Sequence, residues 1–325
     1  MSDSNSAAPK QPDLIGWIGT LLIRLFVPAW IFFGALTKVR GATPKSLPRS
    51  ILDAGGIVGI QDHFLLLAIL TAIEFCFIGI MLFAPRLARR AAISILSIFL
   101  VVLSVEMFGY GNYESCGCFG EKSIAPTTMF AIDFALLLGI IVFKPRKSTN
   151  AKNKQSCSII LVTIFILLSW YYTFDTIMSK KQSSTGDTAT SLPSSWYPTR
   201  IGDWIGKSVD DIELFSWVSE WPHDIRDGKQ YVIFYSLSCD HCEALLWAHF
   251  EFPSIPTTLV AIPQSVDGFN YDGGFDNPCH DCDTTELQVG TDWIIGSPLV
   301  IAIEQGIVKC ATENEDYEAP ACLIW

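Results

Sequence analysis

The chain has 325 residues, half of them hydrophobic, and a formal net charge of -11. Together with a positive mean hydropathy, that argues against a single soluble domain. The acidic balance, carried mostly by the C-terminal half, excludes nucleic acid as a partner, because no clustered basic surface is left there to bind phosphate.

In chain order, residues 1–13 form a polar tail, followed by five apolar runs of membrane-spanning length at 14–36, 64–84, 91–110, 125–143 and 158–174. The first run is too long and too polar-flanked for a cleaved signal peptide, so it reads as a retained anchor in the lipid bilayer. Residues 14–146 thus predict an all-α membrane bundle, and 147–178 a cytoplasmic loop with a fifth transmembrane helix. Orientation follows Lys and Arg in short loops. "PRLARR" carries three arginines and "KPRKSTNAKNK" five basic residues. Placing both in the cytoplasm puts the N-terminus inside and everything after Phe174 outside. Lys38, Arg40, Lys45 and Arg49 count against that orientation, since they would sit in an external loop.

Charge inside a bilayer is costly, so each intramembrane ionisable residue needs a reason. Arg24 and Glu74 lie near the middle of runs one and two and are expected to form a helix-locking ion pair, with a proton or quinone-headgroup site as the alternative. Glu106 and Asp133 lie nearer the outer mouth, suited to helix packing or to proton transfer. Trp17, Trp30, Trp170, Tyr171 and Tyr172 fit interfacial aromatic belts.

Residues 179–200, opening "SKKQSSTGDTATSLPSS", are Ser/Thr-rich and read as a linker. Residues 201–325 are long enough for one compact domain. In it, "QYVIFYSL" reads as a buried strand, "SCDHCEALLWAHF" as a helix starting near Cys239, and "TTLVAIP" as a second strand. "SPLVIAIEQGIVKC" reads as two strands joined at Gln305 and Gly306.

Ten cysteines are present. Cys76 and Cys157 fall in or beside membrane spans; the other eight are external couples, which is the pattern of disulfide chemistry in an oxidising compartment. Cys239 would sit at a helix N-terminus, where unpaired amides and the macrodipole favour a thiolate, with Cys242 one turn further in as the resolving thiol. His241 adds positive character beside it and Asp240 opposes. The bland alternative is a permanent disulfide. Cys116 and Cys118, separated only by Gly117, would close a very short, readily reduced ring and accept electrons from Cys239 and Cys242. Pairing elsewhere, or half of a metal site, are the alternatives. Cys279 and Cys282 lie in an irregular stretch and suit a structural disulfide, with a relay or a zinc site shared with Cys239 and Cys242 as the other readings. Cys310 and Cys322 would staple the C-terminal tail. No metal and no tightly bound cofactor is expected.

Two resemblances add to this. Residues 201–325 resemble a thioredoxin-like α/β domain, through the strand, Cys239-Asp240-His241-Cys242 and helix, and through Ser297-Pro298 before a strand; the resemblance implies a cis peptide at Pro298 beside the active disulfide. Residues 14–144 resemble the DoxX/MauE group of four-helix membrane proteins, through "RLFVPAWIFFGALTK", Glu74 with Gly79, and "CGCFG". The MauE branch is linked to methylamine utilisation and to maturation of a disulfide-rich dehydrogenase subunit, which implies disulfide handling. The whole reads as a membrane-bound thiol–disulfide oxidoreductase of the bacterial inner membrane. A periplasmic thioredoxin-like CxxC would relay electrons to the Cys-Gly-Cys couple and serve disulfide formation or isomerisation in exported proteins, with a quinone as candidate acceptor. The competing readings are a redox-inert, membrane-anchored binding or chaperone module, and quinone-linked oxidation of sulfur compounds of DoxX type.

Overall fold

The computed structural model describes residues 14–110, 125–145, 155–184, 192–198, 200–269, 274–313, 321–323 and 325. The chain divides into two compact units, Met1–Met178 and Ser179–Trp325.

In the first unit, α1 (Leu14–Leu21), a π-helical turn (Leu22–Phe26) and α2 (Val27–Gly41) form one apolar rod. It is followed by α3 (Arg49–Val58), α4 (His63–Phe83), α5 (Ala88–Gly109), α6 (Pro126–Val142) and α7 (Gln155–Ser184). Among the described residues, four helices are long and apolar enough to cross a membrane: Ile15–Gly41, His63–Phe83, Ala88–Gly109 and Ile159–Lys181. The remaining apolar helix, α6, has 17 residues, about 25 Å at 1.5 Å per residue, shorter than the run read from sequence. Its ends explain this: Pro126 occupies the first turn, and Lys144 precedes Pro145, which disfavours helical backbone there. Arg89 closes the far end by donating from Nη2 to the carbonyls of Ile140 and Ile141 at 3.3 and 3.4 Å, a cation on orphan C-terminal acceptors.

Local chemistry sets the other boundaries. The Asp62 side chain accepts from Leu65 N at 3.2 Å and starts α4. Gly59, with φ of 85°, ends α3 while Ile60 N returns to the Gly55 carbonyl at 2.8 Å. The bundle core is built on a stripe of Ile23, Val27, Ile31 and Ala35 from the first rod, against Ile78 and Met81 of α4. α7 touches α4 where Gly79 leaves room for the Phe165 ring and where Trp170 Nε1 donates to Cys76 Sγ at 3.2 Å.

Two expectations change here. The helix of the fifth apolar run does not end near Phe174 but continues through Ser184, because Lys and Gln sustain a helix as well as apolar residues do. The second unit also begins earlier than residue 201: β1 (Ser195–Trp196) pairs in parallel with β5 (Asp292–Trp293). Trp196 packs on Trp204, Trp217 and Trp293 at centroid distances of 6.3, 5.7 and 6.1 Å. The stretch taken as a linker therefore contributes a helix end and a strand.

The second unit is a five-stranded sheet in the order β4 (Asp283–Glu286), β3 (Thr257–Ala261), β2 (Lys229–Tyr235), β6 (Leu299–Glu304), β7 (Ile307–Glu313). β4, β3 and β2 run parallel; β6 and β7 run antiparallel to their neighbours. The β6–β7 turn falls at Gln305 and Gly306, both at positive φ, the backbone that a two-residue hairpin requires. β2 is buried on both faces. Val232 and Phe234 enter one core with α8 (Glu213–Ser216), and Tyr231, Ile233 and Tyr235 enter the other with α9 (Asp240–His249). Among the described residues from 262 to 298 there is no helix. The Ser297–Pro298 peptide is cis.

Candidate active site

The central strand β2 delivers the chain to its C-terminal end, Ser236 to Ser238 turn it, and Cys239 becomes the N-cap of α9. Cys239 and Cys242 are joined, with Cα atoms 5.2 Å apart. Their surroundings differ: Cys242 is fully buried against Leu245 and Leu246, and Cys239 is half-buried. Cys242 N donates to Cys239 Sγ at 3.1 Å, so the sulfur already lies where the first-turn amides of the helix point. The same sulfur lies 3.6 Å from the carbonyl oxygen of Ser297, the residue before the cis proline. Asp240 is exposed and His241 half-exposed in the first turn. The chain after β3 returns beside the site, where Phe275 N donates to the Leu237 carbonyl at 3.1 Å and Phe275 packs on Tyr235.

The other two couples serve other places. Cys279 and Cys282 are joined with Cα atoms 5.6 Å apart, beyond the opposite end of α9. There His280 N donates to the Glu251 carbonyl at 3.1 Å and its ring stacks on Phe252 at 5.0 Å. Ten helical residues, about 15 Å, separate that end from Cys239. Cys310 and Cys322 are joined and tie β7 to a C-terminal turn. Tyr231 Oη donates to the Cys322 carbonyl at 3.0 Å and accepts from Trp325 Nε1 at 2.8 Å. Burial raises the Tyr231 phenol above its ordinary pKa, with the Trp325 bond opposing. Among the described residues no three His, Cys, Asp or Glu side chains converge as metal ligands. Cys116 and Cys118 lie outside the described residues.

The membrane unit corrects the polar assignments. Glu74 pairs with Lys38, not Arg24. Arg24 is exposed on the outside of the rod, one residue past the buried Ile23 in the π-helical turn and so off the packed stripe. Lys38, which the sequence places in a loop, lies within α2, buried with Val27, Ile31 and Ala35 at helical spacing. That spacing was the signal that would have found it. Trp30 is not an interfacial anchor: its Nε1 donates to Asp133 Oδ1 at 2.8 Å inside the bundle. Asp133 shares one cavity of about 50 Å³ with Trp30, Lys38 and Glu74, so it lies with the deep pair. Glu106 is fully buried and caps α3, its Oε1 accepting from both Ser50 N and Ser50 Oγ at 2.7 Å. Sequence alone gave no sign of Ser50.

The first unit is thus a multi-pass helical membrane bundle, and the second a sheet-containing domain with three closely paired cysteine couples. Residues 15–144 match the family model described as Methylamine utilisation protein MauE, and that segment includes the cavity and its polar residues. No curated protein and no solved structure matches the chain.

Proposed function

We propose that the chain is a membrane-bound thiol–disulfide oxidoreductase whose second unit is a thioredoxin-like domain facing the extracytoplasmic side of a bacterial inner membrane. The observation that carries this reading is the asymmetry at α9: a half-buried Cys239 sulfur on the helix N-cap beside the Ser297 carbonyl, bonded to a fully buried Cys242. A client thiolate reaching this disulfide attacks Cys239 Sγ, and Cys242 leaves as a thiolate and takes a proton. A second client thiol then closes the client disulfide and expels Cys239 as a thiolate, which the helix amides stabilise. Two electrons and one proton pass to the domain, the second client proton goes to solvent, and the client is an exported protein that gains a disulfide. The Cys116 and Cys118 couple then takes the electrons onward, and no electron is routed through the bundle cavity.

The topology supports the reading in part, since the parallel β2 and β3 flank α9 in sequence and an antiparallel hairpin follows the cis proline. Among the described residues no helix lies between β3 and β6, which is a departure from the thioredoxin pattern. Orientation gains support from Lys38: as a buried, paired residue it leaves the external count, and three basic residues then stand against eight. The MauE match over residues 15–144 agrees with the family resemblance of the membrane unit, from which disulfide handling is inferred. The test is oxidation of a reduced two-cysteine peptide by the purified full-length protein. Wild type is expected to form the peptide disulfide stoichiometrically, and Cys239→Ser to form none. Equal behaviour of the two would favour a redox-inert binding module.

A further inference from the structure

We propose that the intramembrane cavity is a proton-binding site in which Glu74 and Asp133 hold one exchangeable proton, with Lys38 as the fixed counter-charge. Lys38 and Trp30 enter the cavity from α2, Glu74 from α4 and Asp133 from α6, whereas α5 contributes only apolar side chains. Among the described residues the charged lining is therefore one cation and two carboxyls.

Lys38 satisfies Glu74 through Oε1, while Glu74 Oε2 is buried without a hydrogen-bond partner. Asp133, 1 % exposed, receives the neutral Trp30 N–H and no ammonium. Were all three ionised, the cavity would carry an uncompensated negative charge away from water, and a group in that position neutralises itself instead. One proton on the carboxyl pair restores neutrality. A structural ion pair would need only Lys38 and Glu74. Asp133 on the same cavity is the surplus acid that makes the site a proton holder. The cavity also exceeds the roughly 10–15 Å³ that one water needs, which gives the proton a way to move between the two acids.

Charge counting makes the site testable by infrared spectroscopy of the full-length protein in lipid nanodiscs at neutral pH. Wild type is expected to show a protonated-carboxyl C=O stretch that shifts in D2O. Asp133→Asn and Glu74→Gln should each remove the same share of it, since either leaves one cation facing one carboxylate; the buried Glu106 carboxyl, held by Ser50 alone, accounts for any remainder. Lys38→Met should raise that share about twofold, because both acids must then be neutral. A band that keeps its full wild-type intensity in both carboxyl variants overturns the proposal, as does its absence from folded wild type. Should Asp133→Asn fail to fold, Glu74→Gln and Lys38→Met decide by the opposite signs of their effects.

Discussion

Replacing Lys38 by Met removes the one cationic group that the described residues supply to the bundle cavity, without much change in side-chain volume. Both partners of the ion pair are buried, with side-chain exposures of 11 % and 7 %. Breaking such a pair from one side leaves the Glu74 carboxyl buried without its counter-charge, where it must be neutralised, and costs up to about 3–5 kcal/mol. The reverse substitution, Glu74→Leu, should cost less, by about 2 kcal/mol, because Lys38 then faces Asp133 across the same cavity. The double variant should return to within about 1–2 kcal/mol of wild type, since apolar replacement of a whole buried pair is often near neutral. Reversible unfolding in mixed micelles, followed by tryptophan fluorescence, yields all four corners of the cycle. A Lys38→Met variant within about 1 kcal/mol of wild type, or a double variant whose loss equals the sum of the singles, would refute the pairing and the placement of Lys38 inside the bundle.

Other perturbations probe separate parts of the chain. A Cβ on Gly19 would sit 2.3 Å from the Phe143 carbonyl oxygen, and backbone cannot swing aside as a side chain can. Gly19→Ala should therefore cost about 1–3 kcal/mol in a thermal melt, whereas Gly41→Ala, whose Cβ meets only Thr43 Cγ2 at 3.8 Å, should be near neutral. Replacing both Cys279 and Cys282 by Ser should lower the second unit's stability by about 2 kcal/mol, and replacing Cys310 and Cys322 by about 3, from the loop lengths they close; peptide oxidation should survive the first change. Arg226 holds Asp210, through its guanidinium, and Asp224, through its backbone N–H and then its guanidinium, below the usual carboxylate range. Depressed folded-state values stabilise above the unfolded pKa, and that contribution is lost as pH falls through the folded one. Arg226→Gln should flatten the acid-side decline of the unfolding midpoint, and an unchanged pH profile would contradict the assignment.

Much of the second unit was legible because its central strands are buried on both faces and read as unbroken apolar runs at Val232 to Tyr235 and Leu299 to Ile303. Gly306 announced the hairpin, being free to take positive φ, while Gln305 takes it at φ of 52° without that freedom. The edge strand β4 was invisible for the opposite reason: Asp283, Thr284, Thr285 and Glu286 are polar and mostly exposed, and only pairing with β3 makes them a strand. In the membrane unit, hydropathy found the long apolar helices but not α3 between the first two of them, and not the faces that any of them buries. Counting Lys38 as a loop marker and Arg24 as a core charge follows from position along the chain, whereas burial follows from angle around the helix. The bonds of Asp133 to Trp30 and of Glu106 to Ser50 join residues 103 and 56 positions apart, and no local pattern predicts contacts of that range.

The central claim is that the Cys239 sulfur exchanges disulfides with the Cys-Gly-Cys couple of the membrane unit. Removing the resolving thiol with Cys242→Ala leaves Cys239 unable to release a bound partner. Mass spectrometry of this variant, alkylated in intact cells and digested, is predicted to find a peptide linking Cys239 to Cys116 or Cys118. Recovery of Cys239 only as a free thiol, with Cys116 and Cys118 joined to each other, would contradict the relay.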